Sequence, residues 1–60
     1  MEWNTKFTFN EEVMDKYTGY SGVITAIAKY VTGETSYLIE DRDSTGRPIS
    51  EWIEERRIAD

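Results

Sequence analysis

The sequence DKYTGYSGVITA, residues 15–26, joins a polar turn to the start of a β-branched segment. Gly19 and Gly22 stand three residues apart within it, and glycine adopts the left-handed backbone of tight turns without the steric cost of a Cβ. The segment that follows, residues 23–32, is rich in β-branched residues, which favour strands. This stretch therefore predicts a hairpin around which the remaining strands are organised.

The segment before this hairpin predicts another strand. Residues 1–9 alternate apolar and polar side chains with a period of two, which is typical of a strand. Asn10 is expected to end it in a turn, because asparagine tolerates a positive φ better than other non-glycine residues. Within residues 23–32, Ala26 and Ala28 fall on the same face as Ile24, and their small side chains suggest that another segment approaches closely there.

The second half of the chain predicts two further strands, at residues 35–40 and 49–53, separated by a polar surface loop over residues 41–48. A single helical turn at residues 54–57 and a last short strand near Ile58 complete the favoured interpretation.

An alternative interpretation ends the chain in a helix. It makes Ser50 the N-cap of a helix over residues 51–59, whose acidic first turn suits the positive N-terminal end. The apolar residues Trp52, Ile53 and Ile58 define no clean helical face, which favours the strand and turn.

Four to five short strands at roughly ten-residue spacing predict an all-β fold, a small SH3-like, partly open barrel with a short helical turn near the C-terminus. Sixty residues lie near the lower size limit of a domain, so we expect a single domain over residues 1–60. Small domains without disulfides often gain stability by association, which makes a homo-oligomer a reasonable expectation. The expected aromatic core residues are Phe7, Phe9, Tyr37 and Trp52.

The composition argues against several classes of function. The chain has no cysteine and no histidine, so it lacks thiolate metal ligands and the commonest general base. Twelve acidic against seven basic residues give a net charge of −5, the wrong sign for attraction to phosphate backbones. Neither a transmembrane span nor a signal peptide is evident, and we expect a cytoplasmic protein.

Carboxylates are the abundant catalytic group, but their spacing fits no known site. The loop from Asp41 begins like a calcium-binding loop, with acids at its first and third positions and Gly46 at the sixth. Its twelfth position, which should hold a bidentate glutamate, is Trp52. We therefore expect no metal, no cofactor and no enzymatic activity.

Partner contacts are expected from aromatic and acidic side chains. Tyr17 and Tyr20 flank turn residues, where burial is hard to arrange, and exposed Tyr and Trp are enriched at interface hot spots. Acidic residues of the polar loop offer a second kind of contact, an imitation of a phosphate backbone. The predicted partner-binding residues are Trp3, Tyr17, Tyr20, Glu40, Asp41 and Asp43.

Turn and core positions over nearly the whole chain resemble those of small uncharacterised proteins from phages and prophages. The residues that carry the resemblance are Phe9, Val13, Asp15, Thr18, Gly19, Tyr20, Gly22, Ile24, Thr25, Ala26, Tyr30, Gly33, Tyr37, Ile39, Glu51, Trp52, Ile53, Glu54, Glu55, Arg57 and Ile58. The resemblance implies an SH3-like fold and a location in the cytoplasm of an infected or lysogenic bacterium. Many such proteins bind and block a host or defence protein.

The resulting prediction is a non-enzymatic protein-binding module, a phage-encoded inhibitor or modulator of a host defence or nucleic-acid-handling complex. Two alternatives remain open. A nucleic-acid-binding module requires a continuous basic patch, which Arg42, Arg47, Arg56 and Arg57 would have to form. A small-ligand sponge requires a concave, aromatic-lined pocket, expected at an oligomer interface.

Overall fold

The computed structural model describes residues 5–59. The chain forms a four-stranded antiparallel sheet in the order β1-β2-β3-β4. The elements are β1 Glu12–Met14, β2 Ser21–Lys29, β3 Thr35–Arg42, β4 Pro48–Glu54 and a 3-10 turn at Glu55–Arg57. An isolated antiparallel bridge between Asp15 and Ile58 joins the end of β1 to the residue after the 3-10 turn. The predicted mainly β fold with a helical turn near the C-terminus is confirmed.

The C-terminal region follows the favoured strand interpretation, and the helix alternative is wrong. Along β4 the side chains alternate, so that Ile53 is buried while its neighbour Trp52 is exposed. Ile53 lies opposite Tyr37 and Trp52 lies opposite Leu38. Pairing with β3 holds residues 48–54 in an extended strand, and the 3-10 turn begins only at Glu55.

The N-terminal prediction needs a correction. Residues 5–9 form bends and a turn rather than a strand, and the remainder of the predicted strand, with Trp3, lies outside the described residues. Asn10 has φ 69°, which confirms the predicted turn, and its N–H donates to the Ile24 carbonyl at 2.9 Å. The bends direct Phe7 into the core and leave Phe9 outside it.

The three connections between strands share a turn that contains a glycine with a positive φ. Each contains Thr-Gly one residue before its end, and the three glycines have φ between 79° and 95°. The two β-hairpin loops are closed alike, by bonds from Tyr30 N to Glu34 O at 2.9 Å and from Asp43 N to Arg47 O at 3.0 Å. A three-residue loop with a left-handed glycine is a common hairpin closure. The glycines concerned are Gly19, Gly33 and Gly46.

Gly22 has a different role from the one its spacing suggested. It is not a left-handed turn residue but lies within β2, opposite Val13. A Cβ placed there would lie only 2.8 Å from the Glu40 carbonyl carbon and closer still to its oxygen. Gly22, rather than the alanines of β2, therefore marks the close approach of two backbones.

A β-bulge in β2 decides which side chains share a face. The pairing shifts between Ile24, which lies opposite Ile39, and Ala26, which lies opposite Leu38. The extra residue changes the phase of the alternation, so Ile24 and Ile27 both contribute to the core side. The uniform alternation expected along residues 23–32 is therefore wrong beyond residue 24.

The core is small and centred on Tyr37, whose side chain is fully buried. Its ring meets Phe7 edge to face with centroids 5.6 Å apart, and its hydroxyl accepts a hydrogen bond from Phe7 N at 3.3 Å. Phe7 and Tyr37 are thus confirmed as core residues. Phe9 and Trp52 were predicted wrongly, since both are more than half exposed. The buried apolar residues are Phe7, Val13, Ile24, Tyr37, Ile39, Ile53 and Ile58.

Candidate functional site

The outer part of the β3–β4 hairpin projects beyond the rest of the sheet. Every residue from Glu40 to Trp52 is exposed, and we call residues 40–52 the arm. The pairing of β2 with β3 extends only to Val23 opposite Glu40, whereas β3 and β4 continue together to Arg42 opposite Pro48. The arm is therefore the part of the described chain most open to a partner.

Three carboxylates form an acidic patch at the base of the arm. Glu40 and Asp41 are neighbours on β3, and Glu51 lies on the paired strand β4, opposite Ile39, so the three residues fall within two positions of one another in the β3–β4 register. Glu40 and Asp41 also line a shallow depression of about 380 Å³ together with Val23, Thr25 and Arg42. The predicted residues Glu40 and Asp41 are thus brought together, and Glu51 is added to them.

Tyr20 contacts the two strands that carry this patch. Its hydroxyl donates to the carbonyls of Ile39 at 3.0 Å and Ile49 at 3.1 Å, and its ring packs against the core. Burial, followed by the charges of the nearby carboxylates, raises the pKa of this hydroxyl. The expectation that Tyr20 escapes burial is wrong, because its chain position beside a turn still allows the ring to reach across the sheet.

Asp43 accepts hydrogen bonds from other residues of the β3–β4 hairpin turn. Its Oδ1 accepts hydrogen bonds from Thr45 N at 2.9 Å, Thr45 Oγ1 at 2.7 Å and Arg47 N at 3.0 Å. These hydrogen bonds, led by that of the Thr45 side chain, lower the pKa of the carboxyl. The structure gives Asp43 a local role in shaping the arm, although it remains exposed.

Tyr17 lies away from the acidic patch, in the turn that follows β1. It is 68% exposed, and cations lie over its ring, Arg57 Cζ at 5.5 Å and Lys16 Nζ at 5.8 Å from the centroid. Such contacts are worth about 0.5–1 kcal/mol at exposed sites. Tyr17 and the acidic patch are therefore two separate surfaces, and a substitution of Tyr17 tests the first without disturbing the second.

An ion pair that sequence reasoning missed closes the sheet beside Tyr17. Arg57 Nη2 lies 2.9 Å from Oδ2 of Asp15, whose side chain is 3% exposed. Asp15 Oδ1 accepts from Tyr17 N at 2.8 Å and from Thr18 N at 3.3 Å. Burial by itself raises the pKa of Asp15, but these two N–H groups and the charge of Arg57 outweigh it and hold the pKa below 3.8.

The four arginines considered for nucleic-acid binding do not converge. Arg42 and Arg47 flank the hairpin turn, whereas Arg56 and Arg57 follow the opposite end of β4, roughly 20 Å away for a seven-residue strand. Arg56 is paired with Glu54 at 2.8 Å and Arg57 with Asp15. Arg42 and Arg47 make no ion pair with other described residues.

A second depression, of about 390 Å³, lies near the 3-10 turn. Its lining is polar and charged, as is most of the lining beside the arm, and no aromatic side chain contributes to either. Within residues 5–59 no three acidic residues are grouped so as to hold a metal ion. No helix in that range has the length and apolar character that crossing a membrane requires.

Comparison with protein-family models, with curated proteins and with solved structures finds no match to this chain. The SH3-like identity and the resemblance to phage and prophage proteins therefore stay predictions. The candidate site rests on its own geometry, which is an exposed arm with an acidic patch at its base.

Proposed function

We propose that this chain is a non-enzymatic protein-binding module that docks a basic protein surface on the acidic patch of the arm. The observation that carries the proposal is the grouping of Glu40, Asp41 and Glu51 within two positions of one another in the β3–β4 register of an exposed hairpin. Complementary charge of this kind raises association rates and favours the correct partner. A chain of net charge −5 is suited to such a partner.

The class of partner follows from the chemistry of the patch. Carboxylates spaced along a β-hairpin present a row of negative charges, as a phosphate backbone does. A protein that normally handles nucleic acid offers the complementary cationic groove. We extend the proposal to an inhibitor or modulator of a host defence or nucleic-acid-handling complex, encoded by a phage and acting in the bacterial cytoplasm, an origin supported by the resemblance in turn and core positions.

The proposal predicts that neutralising the patch abolishes binding while the fold is retained. The double variant E40Q/D41N removes two exposed charges and leaves the Tyr20 hydrogen bonds to the backbone in place. Immobilised wild-type chain should capture a basic protein from a bacterial lysate, and the double variant should bind that purified protein at least about tenfold more weakly. Affinity measured by calorimetry should also fall as salt is raised.

The matched control is E12Q/E34Q, which changes the net charge equally at two exposed carboxylates outside the arm. It should bind like the wild type. Equal losses in both double variants would mean that net charge alone governs binding and would reject the acidic patch as the site. A wild-type chain that captures no protein but shifts labelled RNA would favour the nucleic-acid alternative.

A further inference from the structure

The free edge of β4 is the second unusual feature of the arm. Among the described residues no strand pairs with the side of β4 that faces away from β3. The strand is seven residues long and carries two exposed apolar side chains, Ile49 and Trp52. Exposed edge strands of this kind are templates for pairing with another chain, and proteins usually block them with charge, bulges or proline.

The backbone groups at this edge can be assigned from the ladder. Asp43 and Arg47 form a hydrogen-bonded pair, and bonded and non-bonded pairs alternate along an antiparallel ladder. The N–H and C=O groups of Ser50, Trp52 and Glu54 therefore point to the free edge. Pro48 lies in the same phase and has no N–H, which limits the edge at its outer end.

The arm also carries charge of both signs, arranged along its length. Arg42 and Arg47 lie at its tip without an ion-pair partner among residues 5–59, although the whole chain is acidic. Glu51 lies nearer its base, opposite Ile39. Two arms placed antiparallel would bring the cationic tip of each against the acidic base of the other.

We propose that a second copy of this chain occupies the edge, with β4 paired antiparallel to β4 about a two-fold axis at Ser50. This proposal does not rest on the proposed function, although Glu51 belongs to both surfaces. In this register Pro48 of each copy lies opposite Trp52 of the other, and Arg47 lies diagonal to Glu51, close enough for attraction across the strands. The result is one continuous eight-stranded sheet, with the same contact made twice as two-fold symmetry requires.

Charge selects this register over its neighbours. An axis at Glu51 would place the two Glu51 side chains directly opposite each other, and like charges so placed are destabilising. An axis at Trp52 would leave Arg47 beyond the paired segment, with no carboxylate to meet. An axis at Ile49 would place Arg47 directly opposite Glu51 but would pair only residues 48–50 of each strand. Of the registers that bring Arg47 next to Glu51, the Ser50 axis therefore has the longer paired segment.

The absence of cysteine makes a direct test possible, since a single introduced cysteine can form disulfides only between copies. In the proposed register the two Ser50 Cα atoms are about 5.5 Å apart, within the range of a disulfide. The two Glu54 Cα atoms are roughly 26 Å apart, eight residue spacings along the strands. Under mild oxidation S50C should cross-link at least about tenfold faster than the control E54C.

Light scattering and a charge swap complete the test. The wild type should show a concentration-dependent dimer mass, R47E should weaken the dimer about tenfold or more, and R47E/E51R should restore it. A monomeric mass at all concentrations, an S50C variant that cross-links no faster than E54C, or a double variant as weak as R47E would each overturn the proposal. All of these measurements use the chain without a partner, so they do not depend on the acidic-patch proposal.

Discussion

Replacing Gly22 with alanine is expected to destabilise the fold by about 3 kcal/mol or more, because the added methyl group would overlap the Glu40 backbone. The obstacle is main chain, paired on both sides within the sheet, so it cannot move aside as a flexible side chain would. A 60-residue domain has a total stability of roughly 3–9 kcal/mol. G22A should therefore be largely unfolded, as urea denaturation followed by circular dichroism would reveal.

Gly19 supplies the control. Its φ is 79°, and nothing lies within 4 Å of a Cβ built on it. Alanine at that position meets only the conformational penalty of the left-handed region, about 1–2 kcal/mol. If G22A loses no more unfolding free energy than G19A, the close approach of β2 to β3 is not the reason that residue 22 is glycine.

Replacing Asp15 with asparagine is expected to remove the part of the stability that depends on its charge. The amide oxygen can still accept from the Tyr17 and Thr18 N–H groups, but Arg57 loses the carboxylate 2.9 Å away and is left beside a neutral group. The Nε of the half-buried Arg57 already lacks a hydrogen-bond partner, so no second acceptor nearby can replace the Asp15 carboxylate. D15N should be clearly less stable than the wild type at neutral pH.

The pH dependence separates this effect from a general loss of packing. The folded pKa of Asp15 lies below its ordinary value of 3.8, so its contribution is fully present above that pH and is lost as the pH falls through the folded pKa. Unfolding free energies of wild type and D15N should therefore differ most at neutral pH and converge in acid. A difference in unfolding free energy between wild type and D15N that stays constant with pH would contradict the ion-pair explanation. The control is E12Q, which neutralises an exposed carboxylate instead.

Local sequence pattern accounts for most of the fold. Period-two alternation and turn glycines predicted β2, β3 and β4, and the tolerance of asparagine for a positive φ predicted the turn at Asn10, because each depends on a few consecutive residues. The short strand predicted near Ile58 is reduced to an isolated bridge. The Thr-Gly that recurs at the three turns is a further sequence signal of these connections. The bulge after Ile24 left no comparable mark, and it reversed the faces that simple alternation assigns.

The candidate site was less accessible to sequence reasoning. Glu40 and Asp41 were identified from composition, but their grouping with Glu51 depends on the pairing of β3 with β4. The Asp15–Arg57 pair joins residues that are distant in sequence, and it could be found only once the Asp15–Ile58 bridge was known. The exposure of Phe9 and Trp52 likewise depends on where the folded chain places them. An aromatic residue in the sequence is equally compatible with a buried core position and with an exposed binding position.

The order of the strands also has a consequence for folding. Each strand pairs with its neighbour in sequence, so the sheet can grow by closing short loops in turn, whereas the Asp15–Ile58 bridge joins residues 43 positions apart. Because loop-closure entropy rises with loop length, we expect the bridge to form after the hairpins. Hydrogen exchange should record this order, with the Ala59 amide, bonded to Met14 O at 2.8 Å, exchanging well before the central amides of β3. Transient release of the C-terminal residues would then expose Asp15 and Arg57 while the rest of the sheet stays folded.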